Sequence, residues 1–266
     1  MPLPASNRAL LAAARNGSIH ELQDALLGGA DPHCIDSCGL TPLMLSVAHG
    51  SLPHLSLLLP LSNPLSKSHA GDTALMIAIR LHRPELADTL IPASDLFARD
   101  AMGASILVLC AIHGLVQTAK QTLLFATELD PGAARILALP DAQGMGPLMW
   151  ASKRLDLPMA ELLSFVDDPG RSDSRGRTAL IHAFSSAHHG SSELVASLAR
   201  LLAPLAPVLA RDADGFSAAD LARQARLPQI ADWIETVGHA QHEASVLLLD
   251  AQAGAHSQST VRRPRL

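Results

Sequence analysis

The sequence predicts an all-α solenoid of about seven helix-turn-helix repeats joined by β-turn or hairpin fingers. Three observations carry this. First, six stretches align on one pattern, opening at Asp36, Ser68, Asp100, Asp141, Asp173 and Asp212, with glycines at Gly39, Gly71, Gly103, Gly144, Gly176 and Gly215. Successive glycines are 32, 32, 41, 32 and 39 residues apart, and self-similarity at such a period marks stacked supersecondary units. Second, each stretch runs on into a helix-start signal. Third, apolar residues make up 48% of the 266-residue chain while aromatic residues make up only 3%. A core of Ala, Leu, Val, Ile and Met suits short helices packed closely through small side chains.

Each part of the repeat has a mechanical reason. Asp-x-x-Gly is a tight turn in which Asp bonds nearby amides and Gly takes positive φ. The next Thr or Ser caps a helix, and Pro42 and Pro147 stand at the first helical position, where a missing N–H costs nothing. A breaker then ends the first helix (Gly50, Gly114 or Gly190), or a proline opens the second (Pro53, Pro84, Pro158). The second helix carries paired leucines, such as Leu123-Leu124 and Leu162-Leu163. One such helix pair cannot bury both faces alone, so neighbours must stack.

The turn, the Thr41-Pro42-Leu43 helix start, the glycine break, the Leu-Leu helix and the Gly29-Ala30-Asp31 exit, recurring near 33 residues, resemble the ankyrin-repeat family. The likeness implies a leader over 1–7 and repeats over 8–35, 36–67, 68–99, 100–140, 141–172, 173–211 and 212–238. A flexible tail is expected over 239–266, with one helical turn and a basic end at Arg262, Arg263 and Arg265. The family's usual His after Pro-Leu is Met44, Met76, Val108, Met149 or Ile181 here, which shifts that position from hydrogen bonding to apolar packing. The fourth and sixth repeats carry insertions near 125–140 and 185–208.

Composition excludes several function classes. Twenty basic residues against 25 acidic give −5, and no Tyr with few Phe and Trp leaves little for stacking bases. Nucleic acid and membrane are therefore not expected partners, and no apolar run approaches the roughly 18 residues of a span. Three cysteines, without a signal-like leader, point to a monomeric protein of the cytoplasm. No phosphate loop, nucleophile elbow or zinc motif occurs, so no catalytic residue, metal ligand or cofactor is expected. Trp150 and Trp233 fall at helical packing positions and are expected in the core.

What remains is recognition of a protein partner. The resemblance implies a binding face made of the finger tips and the inner side of each first helix. Carried over repeat by repeat, its contact positions include Leu40, His49, Asp72, Arg80, Leu81, Met102, Ile112, His113, Met145, Lys153, Arg154, Arg175 and Arg177. With Arg15 the face holds six non-histidine cations against Asp72 and Asp214, and apolar side chains lie among them. The expected ligand is a partner segment with apolar anchors and acidic flanks, bound by a non-catalytic scaffold, adaptor or inhibitor. A regulatory subunit of an enzyme complex and a host-directed effector are the alternatives.

Overall fold

A computed structural model describes residues 3–187 and 192–259, with side chains to 245. The chain divides into two compact units, Met1–Asp168 and Pro169–Leu266, so the repeats expected as one run over 8–238 are shared between them. In the N-terminal unit the helices are α1 (Ala5–Asn16), α2 (Ile19–Leu27), α3 (Pro42–His49), α4 (Leu52–Leu58), α5 (Ala74–Arg80), α6 (Pro84–Leu90), α7 (Ile106–His113), α8 (Val116–Leu129), α9 (Ala133–Leu137), α10 (Pro147–Lys153) and α11 (Leu157–Leu163). The C-terminal unit holds α12 (Ala179–Ser185), α13 (Ser192–Leu202), α14 (Ala218–Gln224) and α15 (Pro228–Ser259). No strand occurs among the described residues. Isolated antiparallel bridges pair Ser172 with Thr178 and Arg211 with Ser217 across two finger bases.

The helices begin where their caps stand. Thr41, Thr73 and Ser105 accept bonds from the amides of Met44, Met76 and Val108, each at 3.3 Å. Ser217 and Asp220 form a reciprocal capping box on α14. Gly146 offers no side-chain cap to α10, where Pro147 follows at once. In the N-terminal unit the first helices stack in series, α1 on α3, α3 on α5, α5 on α7 and α7 on α10. They are correspondingly apolar nearly all round: Ile106 to Ala111 are all buried in α7. The second helices form an outer layer that keeps one face in water, as in α6, where only Leu86, Ala87 and Leu90 are buried.

The first helices α3, α5, α7, α10 and α14 close on a left-handed residue eleven places after the turn glycine. Gly50 and Gly114 fill this place with φ 84° and 70°, whereas His82, Leu155 and Arg226 occupy it with φ 52°, 57° and 61°. A side chain there costs about 1–2 kcal/mol. Arg226 is exposed and has no ion-pair partner among the described residues. Arg226→Gly is therefore expected to stabilise the C-terminal unit by about 0.5–1 kcal/mol, after the extra unfolded-state entropy of Gly is set against the relief. A lowered urea midpoint would contradict this account of the helix end.

The insertion of the fourth repeat lengthens α8 to 14 residues and adds the short α9. Ser105 ties α9 back by donating to the Leu137 carbonyl at 2.7 Å. In the sixth repeat Ala203, Ala206 and Val208 are buried after α13. His188, His189 and Gly190 lie outside the described residues, as do Thr260 and the basic end at Arg262, Arg263 and Arg265. The stretch expected as a tail with one helical turn instead continues α15 to Ser259. The reason lies in its composition, which is free of proline and rich in Ala, Leu and Gln over 239–253. Gln241 also docks it, its side-chain amide donating to the carbonyls of Ala203 and Ala206 at 2.9 and 3.2 Å.

Candidate functional site

The geometry of the finger-and-helix face starts from the turn aspartates, which divide their two oxygens between different tasks. In every Asp-headed finger Oδ1 accepts two backbone amides, two and four residues ahead. Asp36 takes Cys38 and Leu40 at 2.8 and 2.9 Å, Asp100 takes Met102 and Ala104 at 2.9 and 2.8 Å, and Asp141 takes Gln143 and Met145 at 2.9 and 3.0 Å. Asp173 and Asp212 repeat the arrangement in the C-terminal unit. Ser68 heads the second finger and accepts the Asp72 amide through its hydroxyl at 3.2 Å.

In Asp36, Asp100, Asp141 and Asp173 the second oxygen is served by a first helix. Where a donor stands nine residues after the aspartate, it reaches back within the repeat: Trp150 Nε1 to Asp141 Oδ2, and His182 Nε2 with Asp173 Oδ2, both at 3.0 Å. Asp36 and Asp100 have Leu45 and Leu109 at that position, and the preceding repeat supplies an arginine instead. Arg15 donates to Asp36 Oδ2 at 2.7 Å, and Arg80 bonds Asp100 Oδ2 while reaching Asp72 at 3.1 Å. Successive fingers are laced together by backbone as well, through His69 N to Cys38 O, Ala101 N to Ala70 O and Ala142 N to Met102 O, each at 3.0 Å.

This division changes the electrostatics expected of the face. Four of the six cations are neutralised: Arg15 by Asp36, Arg80 by Asp72 and Asp100, Arg175 by Asp214 at 3.0 Å, and Arg177 by Asp173 at 2.8 Å. The turn aspartates count fully as backbone-bonding groups from sequence, but Asp36, Asp100, Asp141 and Asp173 each keep a second oxygen that a folded first helix reaches. Among the described residues no carboxylate pairs with Lys153 or Arg154, both exposed at the end of α10. Of the six cations expected on this face, Lys153 and Arg154 are thus the two without a carboxylate partner among the described residues.

The apolar positions sort by exposure. Leu81 and Met102 stand out at 46% and 58%, and Leu40 and Ile112 are half-buried. Met145, expected in the lining, is 2% exposed and belongs to the core. Trp150 departs in the opposite direction. Its neighbours Pro147, Leu148, Met149, Ala151 and Ser152 are buried, but the indole is only half-buried, held at the surface by its bond to Asp141, with the Lys153 ammonium 4.7 Å from the ring centroid. The expectation of a core Trp150 is thus corrected, because the indole N–H needs an acceptor and the nearest one lies at the finger. Trp233 is also at the surface, 36% exposed. A donor nine residues after a turn aspartate is the sequence signal that marks Trp150 and His182.

The histidines fall into two contacts in the N-terminal unit. His49 is exposed, with its ring centroid 5.4 Å from that of buried His54, which shares a short hydrogen bond with Ser51 Oγ. Burial, then His49, hold His54 below the ordinary histidine range, although the Gly17 and Ser18 carbonyls oppose this. His113 Nδ1 stands 3.3 Å from His82 Nε2, rings edge to face. Burial and then the charges of His82, Arg80 and Arg154 lower its pKa. The buried thiols are poor nucleophiles: burial, then Asp31, push Cys34 up to about 11, and burial, then Asp88, push Cys110 higher still. Among the described residues no three His, Cys, Asp or Glu side chains gather as a metal site, and no helix is long and apolar enough to cross a membrane.

Comparison with known proteins agrees with this geometry. Residues 10–100 match the family model of ankyrin repeats, in 3 copies. A crystal structure of an ankyrin repeat domain from Acinetobacter baumannii AYE is similar at a TM-score of 0.64 and 21% identity, over 74% of this chain and 97% of that one. At that identity the likeness is one of fold. A search of curated proteins finds no match.

Proposed function

We propose, from the premise that this chain is an ankyrin-repeat protein, that it binds a protein segment on the finger-and-helix face of its N-terminal unit. Ankyrin repeats are generally protein–protein interaction modules and typically non-catalytic. The observation that carries the finer reading is Trp150. A half-exposed indole, fixed by the Asp141 bond and flanked by Lys153 and Arg154, is a rigid aromatic anchor beside two unpaired cations. Aromatic and arginine side chains in such settings carry most of an interface's energy. Exposed Leu81 and Met102, with half-buried Ile112, extend the apolar part of the patch over the preceding repeats. The ligand that fits is a segment with an apolar side chain for the Trp150 region and acidic residues for Lys153 and Arg154.

In the C-terminal unit Arg175 and Arg177 remain candidates, but Arg177 holds buried Asp173, so its reversal would damage the fold. The test therefore uses Trp150→Ala and the double reversal Lys153→Glu/Arg154→Glu. Partners recovered by proximity labelling are titrated against each full-length variant. Trp150→Ala is expected to weaken binding by about 2–3 kcal/mol, roughly 30- to 150-fold in Kd, and the reversal by about tenfold. Wild-type affinity in both variants, with unchanged helicity, overturns the reading.

A further inference from the structure

The ends of α5 and α7 bring two imidazoles into a shared hydrogen bond at the middle of this face. His113 Nδ1 and His82 Nε2 are 3.3 Å apart, with ring centroids at 5.1 Å and planes at 81°. The contact requires at least one ring to keep a lone pair, because one nitrogen must donate and the other accept. His82 is held in place by backbone rather than by packing, since it closes α5 in the left-handed conformation at φ 52°. Both rings are accessible, His82 exposed and His113 half-buried.

The surroundings are cationic. From α5 comes Arg80, already committed to Asp72 and Asp100. From the end of α10 come Lys153 and Arg154, and from the start of α11 comes Asp156, whose Oδ1 caps that helix by accepting the Met159 amide at 3.1 Å. Asp88 on α6 acts on buried Cys110, and α8 carries Lys120 on its exposed side. The charges felt by His113 are those of His82, Arg80 and Arg154, all of which oppose its protonation.

We propose that the His82–His113 pair is a proton-coupled receptor for a carboxylate of the bound segment. The inference rests on the reading that the partner lies on this face, and it assigns the segment's acidic side chain a site. In the free protein the facing nitrogens satisfy one another, one donating and the other accepting. When a carboxylate enters, one proton comes from solvent onto the facing nitrogen that had been the acceptor. Both facing nitrogens are then N–H donors, and each turns from the other to a carboxylate oxygen. No bond other than N–H is made or broken. The sign follows from linkage: binding raises the histidine pKa values, so affinity rises as pH falls through them.

The test follows the imidazole resonances of the full chain by NMR from pH 7.5 to 5.0, with glutarate as carboxylate probe and NaCl at matched ionic strength as control. Glutarate is expected to raise the apparent pKa of His113 and His82 by about half a unit or more over NaCl. The shift at His113 should vanish in His82→Gln. In parallel, the affinity of the recovered partner should be at least about tenfold tighter at pH 5.5 than at 7.5. That ratio should fall below about twofold in His82→Gln and in His113→Gln. If glutarate leaves both titrations where NaCl does, and partner affinity is the same at both pH values, the receptor is overturned while the partner face stands. If glutarate shifts the pair but Trp150→Ala binds as wild type, the receptor stands and the reading of the partner face fails.

Discussion

Asp173→Ala is expected to cost the C-terminal unit about 3–5 kcal/mol, the largest loss from any single turn aspartate. Asp173 is 2% exposed at its side chain. Its Oδ1 accepts the Arg175 and Arg177 amides at 2.8 and 2.9 Å, and its Oδ2 meets the Arg177 guanidinium at 2.8 Å and His182 Nε2 at 3.0 Å. Alanine leaves two amides unsatisfied at the finger and strips a partner from the Arg177 guanidinium and from His182 on α12, where each buried unsatisfied donor costs about 1–3 kcal/mol. Urea unfolding followed by Trp233 fluorescence in a Trp150→Phe background reads this unit; a loss below about 1 kcal/mol would sink the argument.

The same residue sets an acid dependence. Burial pushes the Asp173 carboxyl up, but the Arg177 and Arg175 amides and the Arg177 guanidinium outweigh it and hold it below the ordinary carboxylate range. A depressed carboxylate contributes stability above its unfolded pKa and loses it as pH falls through the lower folded value. The difference between wild type and Asp173→Ala should accordingly be full above about pH 4 and shrink as the solution is acidified further.

Gly71→Ala is expected to destabilise the N-terminal unit by about 2–3 kcal/mol, from two sources. The residue holds φ 79°, which costs a side chain about 1–2 kcal/mol. A methyl group there would also stand 2.8 Å from the Ala101 amide nitrogen and 3.1 Å from the Asp100 carbonyl carbon. Backbone cannot yield as a side-chain tip can, so the fingers must separate and the bond from Ala101 N to Ala70 O, worth about 1 kcal/mol, is lost. Gly215 provides the control. It has φ 82° but no atom within 4 Å of such a methyl, so Gly215→Ala should show only the conformational cost. Equal penalties at the two sites would refute the part assigned to finger contact. Trp150 fluorescence in a Trp233→Phe background follows the N-terminal unit.

The repeat architecture was legible in the chain because its determinants are local. A turn aspartate, its glycine three residues on, a capping Thr or Ser and a Pro at the first helical position act within a few residues of one another, and Thr41, Pro42, Thr73 and Ser105 do what their positions require. The site was legible only in part. Leu81, Met102, Lys153 and Arg154, which the resemblance implies as contact positions, are exposed. Met145 lies in the core and Trp150 reaches the surface, where its indole N–H meets Asp141. The extra helix α9 and the continuation of α15 were hidden for a related reason. Both are tied down by partners elsewhere in the fold, Ser105 donating to the Leu137 carbonyl of α9 and the carbonyls of Ala203 and Ala206 accepting from Gln241 of α15.

Sequence by itself determined the period, the helix starts, the left-handed turns and the aliphatic composition of the core, all of which follow from backbone sterics and short-range hydrogen bonding. Tertiary structure alone decided where charge remains. A turn aspartate spends one oxygen on its own finger, and whether the other meets Arg15, Arg80, Trp150 or His182 depends on which side chain the stacked helix end brings within 3 Å. The surplus of cations that reads as a basic face along the whole array thereby contracts to Lys153 and Arg154. Coulomb pairing acts on distance in space, and distance along the chain does not reveal it.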